Sequence, residues 1–287
     1  LALIRYRIGG NALVVGCGYI GLPLALELKK QFSVSAWVRS EATAATLAPH
    51  GFAQVIAANV ADPAAWKSLD IPYNLVIHCA SSGRGGEAAY EEVFVQGARR
   101  MSEHSPEARK IFVSSTSVYG QTGGETVTED SPAEPATATG RLLREAEKIA
   151  LSGGATVVRS SGIYGPGRAV LWEKFKRGEA VIEGDGSRWL NQIHQRDLVA
   201  AIVRLIDYGA LRQIYNATDN SPVMQRDYYA WCAEVLKKPL PPSGSPDPNR
   251  KRGLTSKRVS NAKLRTAGWA PIYPSFREGI AADYSPK

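Results

Sequence analysis

Residues 11–21 read NALVVGCGYIG, and the division of that stretch decides the fold. NALVV is an apolar run of buried-strand type. It leads into GCGYIG (16–21), a GxGxxG spacing that opens a helix-patterned segment, IGLPLALELKKQ (20–31). A strand, a glycine turn and a helix in that order give the spacing its meaning as a dinucleotide-binding turn. Gly16 permits the tight turn, Gly18 lets the backbone approach a pyrophosphate, and Gly21 lets helix and strand pack closely. The helix N-terminus adds unpaired N–H groups and a partial positive charge. Tyr19 and Ile20, inside the turn, are expected at the same ligand. The plainer alternative is a tight turn with a structural role only. Cys17 also lies in the turn, where a helix dipole lowers thiol pKa values, so a redox role is weighed against a small residue tolerated there.

Working outward, strand-like and helical runs alternate. SVSAWV (33–38), FAQVIAA (52–58), YNLVIHCA (73–80), KIFVSS (110–115) and ATVVRS (155–160) read as strands. Helices are expected from Glu41 to Ala48, after the Asp62-Pro63 cap, over 87–104, and from about residue 136 onward. This alternation predicts an α/β, Rossmann-type doubly wound parallel sheet with right-handed crossovers. GIYGPGR (162–168) reads as a loop and VLWEKFKRG as a short helix. Leu198, Val199, Ile202, Leu205 and Ile206 mark a helix over 195–209, and QIYNAT (213–218) returns to the sheet. A further helix is expected over 228–238, and 239–253 is a Pro/Gly/Ser-rich loop. The resulting division is a nucleotide-binding core over 1–160, with 195–218 returning to it. A small C-terminal substrate-binding region then covers most of 161–287.

The bulk numbers agree with a soluble, cytoplasmic chain. There are 287 residues, 44% hydrophobic and 22% charged. No apolar run reaches the roughly 18 residues that span a bilayer, and no secretory leader is read. The three cysteines, Cys17, Cys79 and Cys232, lie far apart, which fits a reducing compartment and no metal site. The net charge of +8 suits an anionic ligand such as a phosphorylated cofactor. It is spread along the chain, and no nucleic-acid module is present.

The end of the second strand distinguishes the cofactors. NAD sites place Asp or Glu there for the ribose 2′-OH. Here the chain reads Val38, Arg39, Ser40. Arg39 is able to pair with a 2′-phosphate and Ser40 to donate to it, so NADP is preferred over NAD.

Beyond these readings, GCGYIG, HCASS (78–82), SSTSVYG (114–120), RSSGIYGPGR (159–168), GDG (184–186) and IHQRDL (193–198) together resemble the extended short-chain dehydrogenase/reductases. That superfamily holds nucleotide-sugar epimerases and dehydratases. The match is best with its atypical YeeZ-type branch, which carries an Arg after the second strand and a TGRLLREAE-like helix. The resemblance implies that Ser115 hydrogen-bonds the reacting carbonyl or hydroxyl. It places Ala80 and Ser81 at the nicotinamide ribose and Asn59 and Val60 at the adenine. Ser160, Gly162 and Ile163 fall at the carboxamide end.

The departures are on the proton-handling side. The superfamily's Tyr and Lys of YxxxK correspond to Thr139 and Leu143. A Thr hydroxyl has too high a pKa to act as a base near neutrality. Arg141 and Arg144 are able to stabilise an oxyanion but not to shuttle protons. Tyr119 is a candidate substitute, against packing in the VYG turn, and His194 a weaker one beside a structural role. His78 reads as a satisfied core residue. Asp185, Glu129 and Asp130 lie in loops with no distinguishing spacing. Nucleotide-sugar enzymes also carry an Arg shortly before the IH pair, where Leu190 stands here, with Arg188 two residues earlier. Arg168, Arg250, Lys251, Arg252, Lys257 and Arg258 either gather at an anionic ligand or form a solvated basic surface. Helix positions Leu142, Leu143, Ala146, Ile149 and Ala150 face a homodimer partner or the core.

Two functions follow. One is an NADP-dependent reductase or epimerase/dehydratase-like enzyme on a small polar, sugar-like or anionic substrate, with Ser115, Tyr119 and Thr139 as candidate catalytic residues. The other is a noncatalytic NADP-binding sensor or scaffold.

Overall fold

The computed structural model describes residues 9–83, 85–245, 253 and 255–284. Seven apolar runs become seven parallel strands: β1 (Asn11–Val15), β2 (Ser33–Val38), β3 (Gln54–Ala57), β4 (Leu75–His78), β5 (Arg109–Ser115), β6 (Thr156–Ser160) and β7 (Ile214–Ala217). In space they run β7-β6-β5-β4-β1-β2-β3. The chain winds outward from β1 to β3, crosses back, and winds outward again from β4. Ligands in such sheets bind beyond the strand C-termini where the winding reverses, here between β1 and β4.

The strands are apolar throughout because both faces are covered. On one face Ala12, Val14, Ala36, Ile77 and Val158 pack with Leu24, Leu198 and Ile202. On the other, Leu13, Val15, Val76 and Phe112 pack with Val95, Met101, Leu143 and Ala146. The first face is covered by helices α1 (Gly21–Leu28) and α7 (Gln195–Tyr208). The second is covered by α4 (87–104) and α5 (Ala138–Ser152). Between them in sequence lie α2 (Glu41–Leu47), α3 (Pro63–Lys67) and α6 (Val170–Lys176), and α8 (Gln225–Leu236) follows α7. Asp62 caps α3 through Oδ1, which accepts from Ala64 N at 2.8 Å. Among the described residues no helix is long and apolar enough to cross a membrane.

Three departures from the sequence reading concern short or irregular pieces. GIYGPGR is not all loop, because Gly162–Tyr164 pairs in parallel with Gln192–His194. The middle of α4, Glu91–Gln96, is a π-helix turn. Lys257–Val259 pairs in parallel with Glu125–Val127, bringing the C-terminal segment back beside β5's exit. None of these carries a hydrophobic period long enough to read. The elements after residue 160 share an apolar cluster of their own, with Tyr164, Trp172, Phe175, Tyr228, Phe276 and Ile280.

One buried polar network ties α5 to the sheet. Glu147, fully buried, accepts from Ser114 Oγ at 2.6 Å, from Arg159 Nε at 2.9 Å and from Arg159 Nη2 at 2.8 Å. Arg144 completes it from the same helix. The Arg159 guanidinium also lies over the Tyr119 ring at 4.7 Å. The apolar face of α5 is spent on the core: Leu143, Ala146 and Ala150 are buried, and Leu142 and Ile149 pack half-buried beside them.

Candidate functional site

The strand C-termini open on one cavity of about 980 Å³. Its wall begins at the glycine turn. Gly16 has φ +89°, and a Cβ there would lie 2.2 Å from Ala80 Cα, so only glycine lets β1 and β4 exit this close together. A Cβ on Gly21 would lie 2.2 Å from the Gly16 carbonyl oxygen, so Gly21 works by helix–turn contact and does not line the cavity. Gly18 has nothing within 4 Å of its Cβ position and faces open space, which leaves room for a pyrophosphate against the backbone. The tight turn at Gly16 and the close packing at Gly21 are the two structural roles the spacing implied. Tyr19 and Ile20 line the same wall, and Arg168 packs over the Tyr19 ring at 5.1 Å.

Arg39 and Ser40, both exposed, lie on the wall at the end of β2 with Thr43. Ser40 is also the N-cap of α2, accepting from Thr43 N at 3.4 Å and sharing a bond with Thr43 Oγ1 at 3.0 Å. Asn59 and Val60 follow β3 on the same wall. Asn59 Nδ2 donates to Glu92 Oε1 at 2.5 Å, and Asn59 Oδ1 accepts from Ala61 N at 2.9 Å. Glu92 and its neighbours Val93 and Phe94 reach the cavity from the π turn, a contribution the sequence did not disclose.

Ala80 and Ser81 follow β4, Ser115 ends β5, Ser160 ends β6, and Gly162 and Ile163 come just after it, all on the cavity wall. Ser115 Oγ is oriented by accepting from Ser117 N at 3.1 Å. Thr139 and Leu143, at the positions of the superfamily's Tyr and Lys, stand on the wall from α5. The Thr139 hydroxyl meets only Thr137 Oγ1, at 3.4 Å, among the described residues, so it has no base beside it.

Other candidates are not brought together with these. Tyr119 is fully buried, its hydroxyl donates to Asn216 Oδ1 at 2.9 Å, and it is not on the cavity wall. Burial pushes the phenol up, against the pull of Arg159, so it is a core residue and no proton donor to the cavity. His194 caps α7 through Nδ1, which accepts from Arg196 N at 3.1 Å, while Nε2 meets Asp283 Oδ2 at 2.9 Å. His78 is bound to the Val93 carbonyl at 3.0 Å, and burial drives its pKa down to about 4. Burial pushes the Cys17 thiol up to about 12, which favours the reading of a small residue tolerated in the turn over a redox role. Arg141 donates to the Ala136 carbonyl at 2.7 Å and Arg144 pairs with Glu147, so neither faces the cavity as an oxyanion donor.

At the far end the wall is built from Arg188, Trp189, Leu190, Asn191, Tyr228 and Lys257. Arg188 is paired with Glu183 Oε2 at 3.1 Å. Lys257 is buried, and desolvation brings its pKa down to about 8. Its neighbour Arg258 points outward, its Nε donating to the Gly124 carbonyl at 3.0 Å. Arg250, Lys251 and Arg252 lie outside the described residues.

Comparison with known proteins agrees with this geometry. The NAD dependent epimerase/dehydratase family model matches residues 12–218. The chain is 30% identical to protein YeeZ of Escherichia coli K12 over 78% of this chain and 82% of that protein. It is 26% identical to a 3-diazoavenalumate denitrifying reductase from Streptomyces over 95% of this chain and 100% of that one. A solved structure of a NAD-dependent epimerase/dehydratase homologue from Methylobacillus flagellatus superposes with TM-score 0.78 at 30% identity, covering 96% of this chain and 97% of that one. With the glycine turn, the sheet order and these matches in agreement, the chain belongs to the NAD-dependent epimerase/dehydratase family, within the extended short-chain dehydrogenase/reductases its motifs resemble.

Proposed function

We propose that this chain is an NADP-dependent oxidoreductase or epimerase/dehydratase-like enzyme. Its substrate is a small polar molecule, sugar-like or anionic, and it works without the Tyr/Lys pair. The observation that carries the reading is that one cavity joins the glycine turn, Ser115 and the walls supplied after residue 160. A protein that only sensed its cofactor would have no use for the adjoining space.

The residues present fit a phosphorylated pyridine nucleotide. The open backbone at Gly18 and the N-terminus of α1 receive the pyrophosphate. Arg39 and Ser40 receive the 2′-phosphate, and Asn59 with Val60 receives the adenine. Ala80 and Ser81 lie at the nicotinamide ribose, with Ser160, Gly162 and Ile163 at the carboxamide. When bound, the cofactor supplies hydride chemistry. Ser115 holds the reacting oxygen, and residues 161–287 supply most of the substrate walls. With Tyr119 turned into the core, the proton comes from a substrate group or an ordered water near Thr139.

A second reading, a noncatalytic NADP-binding sensor, is favoured by Leu143, an apolar group where a cation would tune the acid. Fluorescence titration with NADPH and NADH, followed by NADPH oxidation with a panel of carbonyl compounds, separates the two. Enzyme function predicts tight NADPH binding and turnover of at least one carbonyl. Binding without any turnover supports the sensor, and no binding of either nucleotide overturns both.

A further inference from the structure

Lys257 differs from every other cation on the cavity wall. It is 4% exposed, yet it lines the cavity. Nζ donates to the Tyr119 carbonyl at 3.0 Å and to Thr255 Oγ1 at 2.5 Å, both neutral acceptors. Among the described residues no carboxylate pairs with it. An ammonium has three donors, so one N–H is left over. A desolvated cation without a counter-ion is costly, and such a group is complementary to an anion arriving in the same space.

The site around it is built. Asn191 brackets the residue: its Nδ2 donates to the Lys257 carbonyl and its Oδ1 accepts from Val259 N, both at 2.8 Å. Trp189 N donates to Ser256 Oγ at 3.2 Å, and the strand is laddered to Glu125–Val127. The charged groups on the packed segments are committed elsewhere. Glu125 accepts from Gly123 N at 2.9 Å, Arg258 donates to Gly124, and Arg188 pairs with Glu183. The phenol of Tyr119 is turned to Asn216.

Taking the substrate cavity of the proposed function as given, we propose that Lys257 is the specificity-determining anchor for a single carboxylate on a substrate with an apolar body. The apolar body is matched by Leu171, Trp189, Leu190, Tyr228 and Ile280 on the same wall. One ammonium with one spare donor fits one carboxylate. A nucleoside diphosphate carries more charge and is held best by bidentate arginine. Here Leu190 stands where the resemblance places that arginine, and the charge of Arg188 is offset by Glu183, which accepts from its Nε at 3.1 Å. The chemistry therefore favours an organic acid over a nucleotide sugar.

The test is calorimetric titration with 3-phenylpropanoate, its neutral amide and uridine diphosphate, with and without saturating NADP, on the wild type, Lys257→Met and Lys257→Arg. At pH 7 the acid is expected to bind the wild type at least about tenfold more tightly than the amide. That preference is expected to fall within about twofold in Lys257→Met, to survive in part in Lys257→Arg, and to fade in the wild type as pH rises from 7 to about 9.5. NADPH binding by fluorescence, unchanged in all three, shows that they are folded. Should Lys257→Met lose it, the Lys257→Arg variant and the wild-type pH profile decide. Absence of an acid preference while NADPH still binds overturns the anchor and leaves the cofactor reading standing. An intact preference without NADPH binding supports the anchor and overturns the cofactor reading alone. Tighter binding of uridine diphosphate than of the acid, or a Lys257→Met protein that keeps the preference, also overturns it.

Discussion

Arg39 and Lys257 carry the same charge at opposite ends of the cavity, and burial separates what they do. Arg39 is exposed, so under the proposed function it would add a charge-assisted bond to a 2′-phosphate, and it adds little to stability. Arg39→Ala is expected to weaken NADPH binding by about 10- to 100-fold, roughly 1.5–3 kcal/mol, and to leave NADH within about twofold. Fluorescence titration reads both. Lys257 is a different case, because burial brings its pKa in the folded chain down to about 8, below the ordinary lysine value of 10.5. The unfolded chain therefore holds that proton more tightly. Below pH 8 the fold carries the full penalty, on the order of 3 kcal/mol. Stability then rises as pH climbs from about 8 to 10.5. Lys257→Met is expected to be the more stable protein at pH 7 and to lack that rise, as urea unfolding at several pH values will show. Arg39 was legible in the sequence because it follows a strand of recognisable length. Lys257 was legible only as one of several cations, since a buried–exposed–buried alternation over three residues is too short to tell an inward lysine from an outward arginine.

At the scale of elements, α5 is fixed by chemistry its hydrophobic spacing does not announce. The spacing placed the helix, and the resemblance put Thr139 and Leu143 at the cavity, whose wall they line. Nothing in the spacing sets Glu147, on the buried face, apart from Glu145, and only its bonds to Arg159 and Ser114 show what it does. Removing one partner of a buried pair leaves the other uncompensated. Glu147→Leu is therefore expected to lower unfolding stability by about 3–5 kcal/mol, measured by urea denaturation. The turn's backbone geometry was legible because its constraint is covalent and shows in residue type. Gly16→Ala must adopt φ +89° and push into Ala80, so it is expected to abolish detectable NADPH binding and cost about 1–3 kcal/mol of stability. The π turn of α4 was not legible, because the apolar pattern there is compatible with either winding, and with it Glu92 escaped notice.

For the molecule as a whole, alternating strands and helices sufficed for the sheet, whereas the far wall of the cavity depends on segments of two or three residues held by tertiary contacts. The net charge of +8 acts at this scale too. It raises the local concentration of anionic ligands, and salt screens it. NADPH affinity is expected to fall by about three- to tenfold between roughly 20 and 300 mM salt, a trend that NADH should follow less steeply. The pairing of Lys257–Val259 with Glu125–Val127 has a consequence for biosynthesis. Every residue proposed to hold the nucleotide precedes Lys257 in the sequence, and so leaves the ribosome before it. A polypeptide made as far as residue 163 would thus carry every segment proposed to hold the coenzyme, while the strand that walls the opposite side of the cavity is still to be synthesised.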